Sequence, residues 1–114
     1  LILPRVADFT PTAIVVQCAA DAVEEDPLSR LALSNNAHWA VIRALMGVSP
    51  RLLVLGGGGY NPWSVGRLWT GVWATLNGFE IPDHLPDPAE AVLRALEFRG
   101  NSRGLNPPDH WFTT

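Results

Sequence analysis

Two short, almost wholly apolar runs interrupt an otherwise mixed chain. The first is "AIVVQCA", residues 13–19, rich in β-branched side chains; the second is "RLLVLG", residues 51–56. Short apolar runs bounded by turn signals read as strands buried on both faces. Between them the period changes. Ala37, Ala40, Val41, Ala44 and Leu45 recur at helical spacing over residues 35–46, with Ser34 to Asn36 as a start and Gly47 and Pro50 as a stop. After the second run, Val65, Leu68, Trp69, Val72, Trp73 and Leu76 share one helical face. Asn61 is placed to cap that helix, Pro62 to open it, and Asn77-Gly78 to close it.

The remaining segments are weaker. "LILPRVADF", residues 1–9, has the spacing of an amphipathic helix. "ADAVEEDPLSRLAL", residues 20–33, is acidic and proline-broken and reads as a loop. Asp87 is expected to cap a last helix, with Pro88 first and Glu90 completing an acidic capping box, and Val92, Leu93 and Leu96 facing inward. The tail, residues 99–114, is irregular, with Trp111 and Phe112 available to dock.

Strand, helix, strand, helix, helix is the order of an α/β fold with a parallel sheet and covering helices, and the crossover is expected to be right-handed. Parallel strands end at one rim, where ligands of open α/β sheets bind. Asp21, just past the first strand, and the Gly56–Tyr60 loop, just past the second, are therefore expected on the same side of the molecule.

Composition narrows the class. The chain has 114 residues and 12.4 kDa, one domain or a piece of one. Apolar residues make up 47% and charged residues only 17%, against about 25% charged in ordinary soluble domains, so faces meant to be covered are expected. A net charge of −3 gives no electrostatic footprint for nucleic acid. No apolar run reaches membrane length, and a soluble chain is expected. Cys18 is the single cysteine, which forbids an internal disulfide and fits a reducing, cytoplasmic compartment.

Chemistry concentrates in "LLVLGGGGYNPW", residues 52–63: four consecutive glycines, then the chain's only tyrosine, Tyr60. A tight turn needs one or two glycines; four let another backbone or a ligand come close. A phosphate cradle at the following helix start is one reading, but neither dinucleotide nor P-loop spacing is present. A phenol on a rigid loop can donate a hydrogen bond to a carbonyl on which negative charge develops. The plainer alternative is a packed tyrosine tied to backbone, and on these residues alone both stand.

The pairing of "QCAADAVEEDPL", residues 17–28, with "LVLGGGGY" resembles the C-terminal part of the histone deacetylase family, with its arginase/deacetylase-like three-layer fold. "GGGGYNPWSVGRLWTGVWATLNG" and "NPPDHWFTT" are similar to the bacterial acetoin-utilisation branch. The resemblance implies zinc-dependent hydrolysis of an N-acetyl amide such as acetyl-lysine, with iron as an alternative metal. It places Asp21 on a metal ligand and Tyr60 on the residue that polarises the acetyl carbonyl. It places Gly57, Gly58 and Gly59 along the acyl tunnel and Leu28 on the tunnel wall. Where the family usually has glycine this chain has Ala19, a strain on the Asp21 loop if that backbone is unusual and harmless if it is extended.

One carboxylate is not a zinc site, which needs about three protein ligands and an open position. The three histidines, His38, His84 and His110, lack the family's D-x-H and His-His spacings and read as structural or solvated, with His38 away from the rim. Cys18 reads as a buried hydrophobe, Glu24-Glu25-Asp26 as a solvated loop in which Asp26 fixes the turn before Pro27. Arg67 reads as a salt-bridge former, and Trp63, Trp69 and Trp73 as packing. Residues 1–114 are thus expected to be the C-terminal part of a deacetylase-like domain, inactive alone and binding no metal alone, with exposed faces that recruit a missing N-terminal half or a second copy as a homo-dimer. Two other readings stand beside it: a stand-alone α/β binding module and a nucleotide binder using the glycine loop.

Overall fold

The computed structural model describes residues 1–97 and 109–112. Helix α1 (Ile2–Asp8) precedes strand β1 (Ile14–Gln17); helix α2 (Asn35–Leu45) leads to β2 (Leu52–Leu55), and α3 (Pro62–Leu76) and α4 (Asp87–Ala95) follow. The strands pair in parallel, Ile14 opposite Leu52 and Gln17 opposite Leu55, so strand ends and their loops meet at one rim as the pattern predicts.

The strands are not buried on both faces. Ile14, Val16, Leu52 and Val54 point inward and are half-buried, whereas Val15, Gln17, Leu53 and Leu55 are exposed. Period-2 alternation gives each strand two faces, and the core lies against only one. That core is Cys18, Ala20, Val23, Trp39, Ile42, Leu68 and Val72, with Val16 and Val54 packed against it.

The buried stripe of α2 also differs from expectation. It is Trp39, Ile42 and Leu45, while Ala40, Val41 and Ala44 are exposed. The seam with α3 sets this choice. Gly71 leaves a gap filled by the Trp39 indole, which a Cβ there would strike, and the indole N–H donates to the Leu68 carbonyl at 3.0 Å. A large ring is the side chain that fills a glycine notch, and it rotates the helix face toward itself.

Asn61 caps α3 by accepting from the Trp63 N–H at 3.0 Å, with Pro62 in the first turn, as expected. The cap of α4 is different: Pro86 precedes the helix, Asp87 lies inside it, and no side-chain cap bond forms. Glu90 instead pairs with Arg94 at 2.7 Å. Val92 and Leu96 are exposed and only Leu93 is half-buried. Phe112 docks, 5% exposed, under Arg94, whose guanidinium lies 4.0 Å from the ring centroid. Residues 98–108, 113 and 114 and the Trp111 side chain, parts of the expected tail, lie outside what the structure describes.

Candidate functional site

Beyond β1 the backbone turns through a short 3-10 segment, Ala20–Ala22, that carries Asp21. Ala19 enters it with φ −77° and ψ 135°, ordinary extended geometry, so an alanine there causes no strain. Beyond β2 the chain runs through Gly56–Gly59 to Tyr60. The two loops are sewn together. Cys18 N–H donates to Leu55 O at 2.7 Å and Ala20 N–H to Gly58 O at 2.6 Å.

The glycines make that contact possible. A Cβ on Gly57 would lie 2.8 Å from the Ala19 Cβ, and one on Gly58 would strike the Asp21 carboxylate. Gly59, at φ +146°, has no room either: Ala20 Cβ would be 2.8 Å away. The glycine run is thus required first for close approach of the aspartate loop, a need no local turn consideration reveals.

Asp26 closes the junction from the other side. Asp26 is only 5% exposed, so this acidic run is not the solvated loop its charge suggests: two backbone N–H groups draw the carboxylate inward. Oδ1 accepts from the Leu28 N–H at 2.8 Å, spanning Pro27 as expected, and Oδ2 accepts from the Tyr60 N–H at 2.7 Å. Asn61, fully buried, donates from Nδ2 to the Glu25 carbonyl at 3.1 Å. Tyr60 itself is 53% exposed, and its hydroxyl has no hydrogen-bond partner among the described residues. The packed, backbone-tied tyrosine is not what forms. Leu28 is exposed on the Asp26 loop.

The other candidates separate. His38 is nearer the rim than expected: Nε2 lies 3.2 Å from Ala19 O, within hydrogen-bonding reach, while buried Nδ1 has no partner. The His110 Nε2 lies 3.3 Å from Glu25, and His84 is exposed. Among the described residues, no three His, Cys, Asp or Glu side chains converge to hold a metal ion. Cys18 is buried in the core, and burial pushes its thiol above the ordinary value, as expected of a small hydrophobe. Burial lowers the Arg67 guanidinium and the charge of Glu25 raises it back in part. Trp73 stacks on Phe79, centroids 5.3 Å apart; Trp69 lies against Gly56; Trp63 lines a cavity of about 490 Å³ with Trp39, Leu93 and Phe112. The three indoles thus face different neighbours. No helix among the described residues is long and apolar enough to cross a membrane.

A parallel α/β rim that presents a carboxylate against a glycine loop and an unbonded phenol defines an α/β protein with its site at the strand ends. The family model of the histone deacetylase domain matches residues 1–76. The chain is 40% identical over 86 residues to type-1 histone deacetylase 1 of Dictyostelium discoideum, covering 75% of this chain and 17% of that protein. It is 37% identical over 79 residues to histone deacetylase 9 of Arabidopsis thaliana, covering 69% and 18%. A crystal structure of an HDAC homologue from Aquifex aeolicus superposes with a TM-score of 0.68 at 32% identity, covering 82% of this chain and 26% of that one. An HDAC homologue complexed with SAHA gives 0.67 at 28% identity, covering 93% and 33%. The chain belongs to the histone deacetylase domain family, with its arginase/deacetylase fold, and spans less than a fifth of the length of these curated relatives.

Proposed function

We propose that this chain is the C-terminal, tyrosine-bearing part of a deacetylase site of the acetoin-utilisation type, acting in the bacterial cytoplasm on an acetylated amine such as acetyl-lysine. The observation that carries this reading is the pairing of Asp21 with an exposed Tyr60 across one glycine loop, in a chain of this family. Tyr60 donates its phenolic hydrogen to the acyl oxygen as charge develops there. Gly57, Gly58, Gly59 and Leu28 border the path of the acyl chain. Asp21 supplies one ligand of the roughly three that zinc, or iron in its place, requires. The described residues do not complete that set, so they fit a shared metal site and not a whole one. Catalysis belongs to the complete domain.

A nucleotide site is disfavoured by charge: the Asp21 carboxylate already lies against Gly58, where a phosphate would have to sit. A non-catalytic module would share the scaffold and differ in having no use for the phenol. A titration decides between them. With ¹⁵N,¹³C-tyrosine-labelled chain, an acetyl-lysine peptide is expected to shift the single tyrosine signal saturably, with no turnover even when zinc is added. A Tyr60 signal indifferent to the peptide overturns the reading, and chelator-sensitive turnover overturns the claim that the site is incomplete.

A further inference from the structure

Tyr60 poses a positioning problem. The residue is exposed and its hydroxyl has no partner among the described residues, so nothing at the phenol end aims it. Yet an oxyanion donor works only if its direction is set before the charge develops. The restraint has to come through the backbone, and it does. The Tyr60 N–H is held at 2.7 Å by Asp26, its neighbour Asn61 is bolted to Glu25 O at 3.1 Å, and Gly58 O takes the Ala20 N–H at 2.6 Å. Of these, the Asp26 bond acts on the tyrosine itself. Asp26 is the one buried acidic side chain among the described residues, and both of its oxygens receive backbone N–H groups from different loops.

We propose that Asp26 is the positioning residue of Tyr60: its carboxylate clamps the tyrosine backbone to the Asp21 loop, so that phenol and Asp21 keep one relative placement. This rests on the reading of Tyr60 as the carbonyl donor. A carboxylate suits the task because both its oxygens accept. An asparagine of the same shape offers one acceptor, and its amide then faces a second N–H, donor to donor.

The test uses the single tyrosine. In ¹⁵N-tyrosine-labelled chain one amide signal reports Tyr60, and with ¹³C-aspartate the hydrogen bond is detected directly as a scalar coupling to a side-chain carboxyl. Wild type is expected to show that coupling and slow amide exchange. Asp26→Ala, which leaves no acceptor for either N–H, is expected to speed Tyr60 exchange about tenfold or more, the loss of that bond. The Trp39 indole N–H, bonded to Leu68 O in the core, is expected to stay protected, which separates a released tyrosine from an unfolded chain. No coupling in wild type, or unchanged Tyr60 exchange in a folded Asp26→Ala, overturns the clamp whatever Tyr60 does. If Asp26→Ala does not fold, the wild-type coupling decides alone. A clamp that is present while Tyr60 ignores acetyl-lysine peptide overturns the functional reading instead.

Discussion

At the level of single residues, the glycine loop makes graded demands. A methyl on Gly58 meets the end of the Asp21 side chain, which can swing away; a methyl on Gly59 meets Ala20 and Val65 from a backbone at φ +146°. Gly58→Ala is therefore expected to cost less than about 1 kcal/mol while turning Asp21 out of place, and Gly59→Ala about 1–3 kcal/mol from overpacking and strain. Urea unfolding of both variants checks the order; a larger loss for Gly58→Ala contradicts it. Cys18 gives a pH prediction. Its folded thiol sits above the ordinary value because of burial. Between the unfolded value, about 8.5, and the raised one, the unfolded chain binds fewer protons, so stability falls as pH rises through that window. With no lysine in the chain, few other side chains titrate there. The urea midpoint is expected to drop from pH 7.5 to 9.5 in wild type and to drop less in Cys18→Ala. Asp21 and Tyr60 stood out in the sequence because the parallel topology put their loops on one rim. The Asp26–Tyr60 bond did not, since it joins positions 34 apart and the Asp-Pro signal accounts only for the local turn.

For the elements, strand and helix existence was legible and facing was not. The apolar pattern of α2 offers several stripes, and the choice of Trp39, Ile42 and Leu45 depends on Gly71, on a helix that the local pattern cannot see. The cap of α4 differs from the pattern for a similar reason: Asp87 and Glu90 carry the capping spacing, but Glu90 goes to Arg94, an i,i+4 partner of equal local appeal. The α2–α3 seam makes a paired prediction within one helix. Gly71→Ala gains about 1 kcal/mol of helix propensity. Against that it overpacks the indole, about 1–3 kcal/mol, and breaks the buried bond to Leu68, about 1–3 kcal/mol, so a net loss of about 1–5 kcal/mol is expected. Gly66, in the same helix with nothing near its absent Cβ, is expected to gain up to about 1 kcal/mol as alanine. Chemical denaturation of the two variants tests the contrast, and a stabilised Gly71→Ala refutes the notch.

On the scale of the whole molecule, one face of the sheet decides how the chain behaves alone. Val15 is 63%, Leu53 53% and Leu55 44% exposed. These side chains would be poor surface residues in a self-sufficient domain, and the low charged fraction adds little repulsion between copies. The Aquifex aeolicus homologue is a far larger chain, of which this one matches 26%. A doubly covered parallel sheet is the ordinary form of such folds, so the open face is the place where further parts of a deacetylase domain would sit. In isolation the same face is expected to find a second copy of itself, because a two-fold contact between identical apolar patches is self-complementary. Light scattering after size exclusion at micromolar concentration should give twice 12.4 kDa. Replacing Val15 and Leu53, opposite each other across the strands, by glutamate should return the mass to that of one chain without unfolding it, since neither side chain reaches the core. A wild-type monomer stable at that concentration overturns the prediction. A dimer that survives both glutamates shows instead that another surface carries the contact.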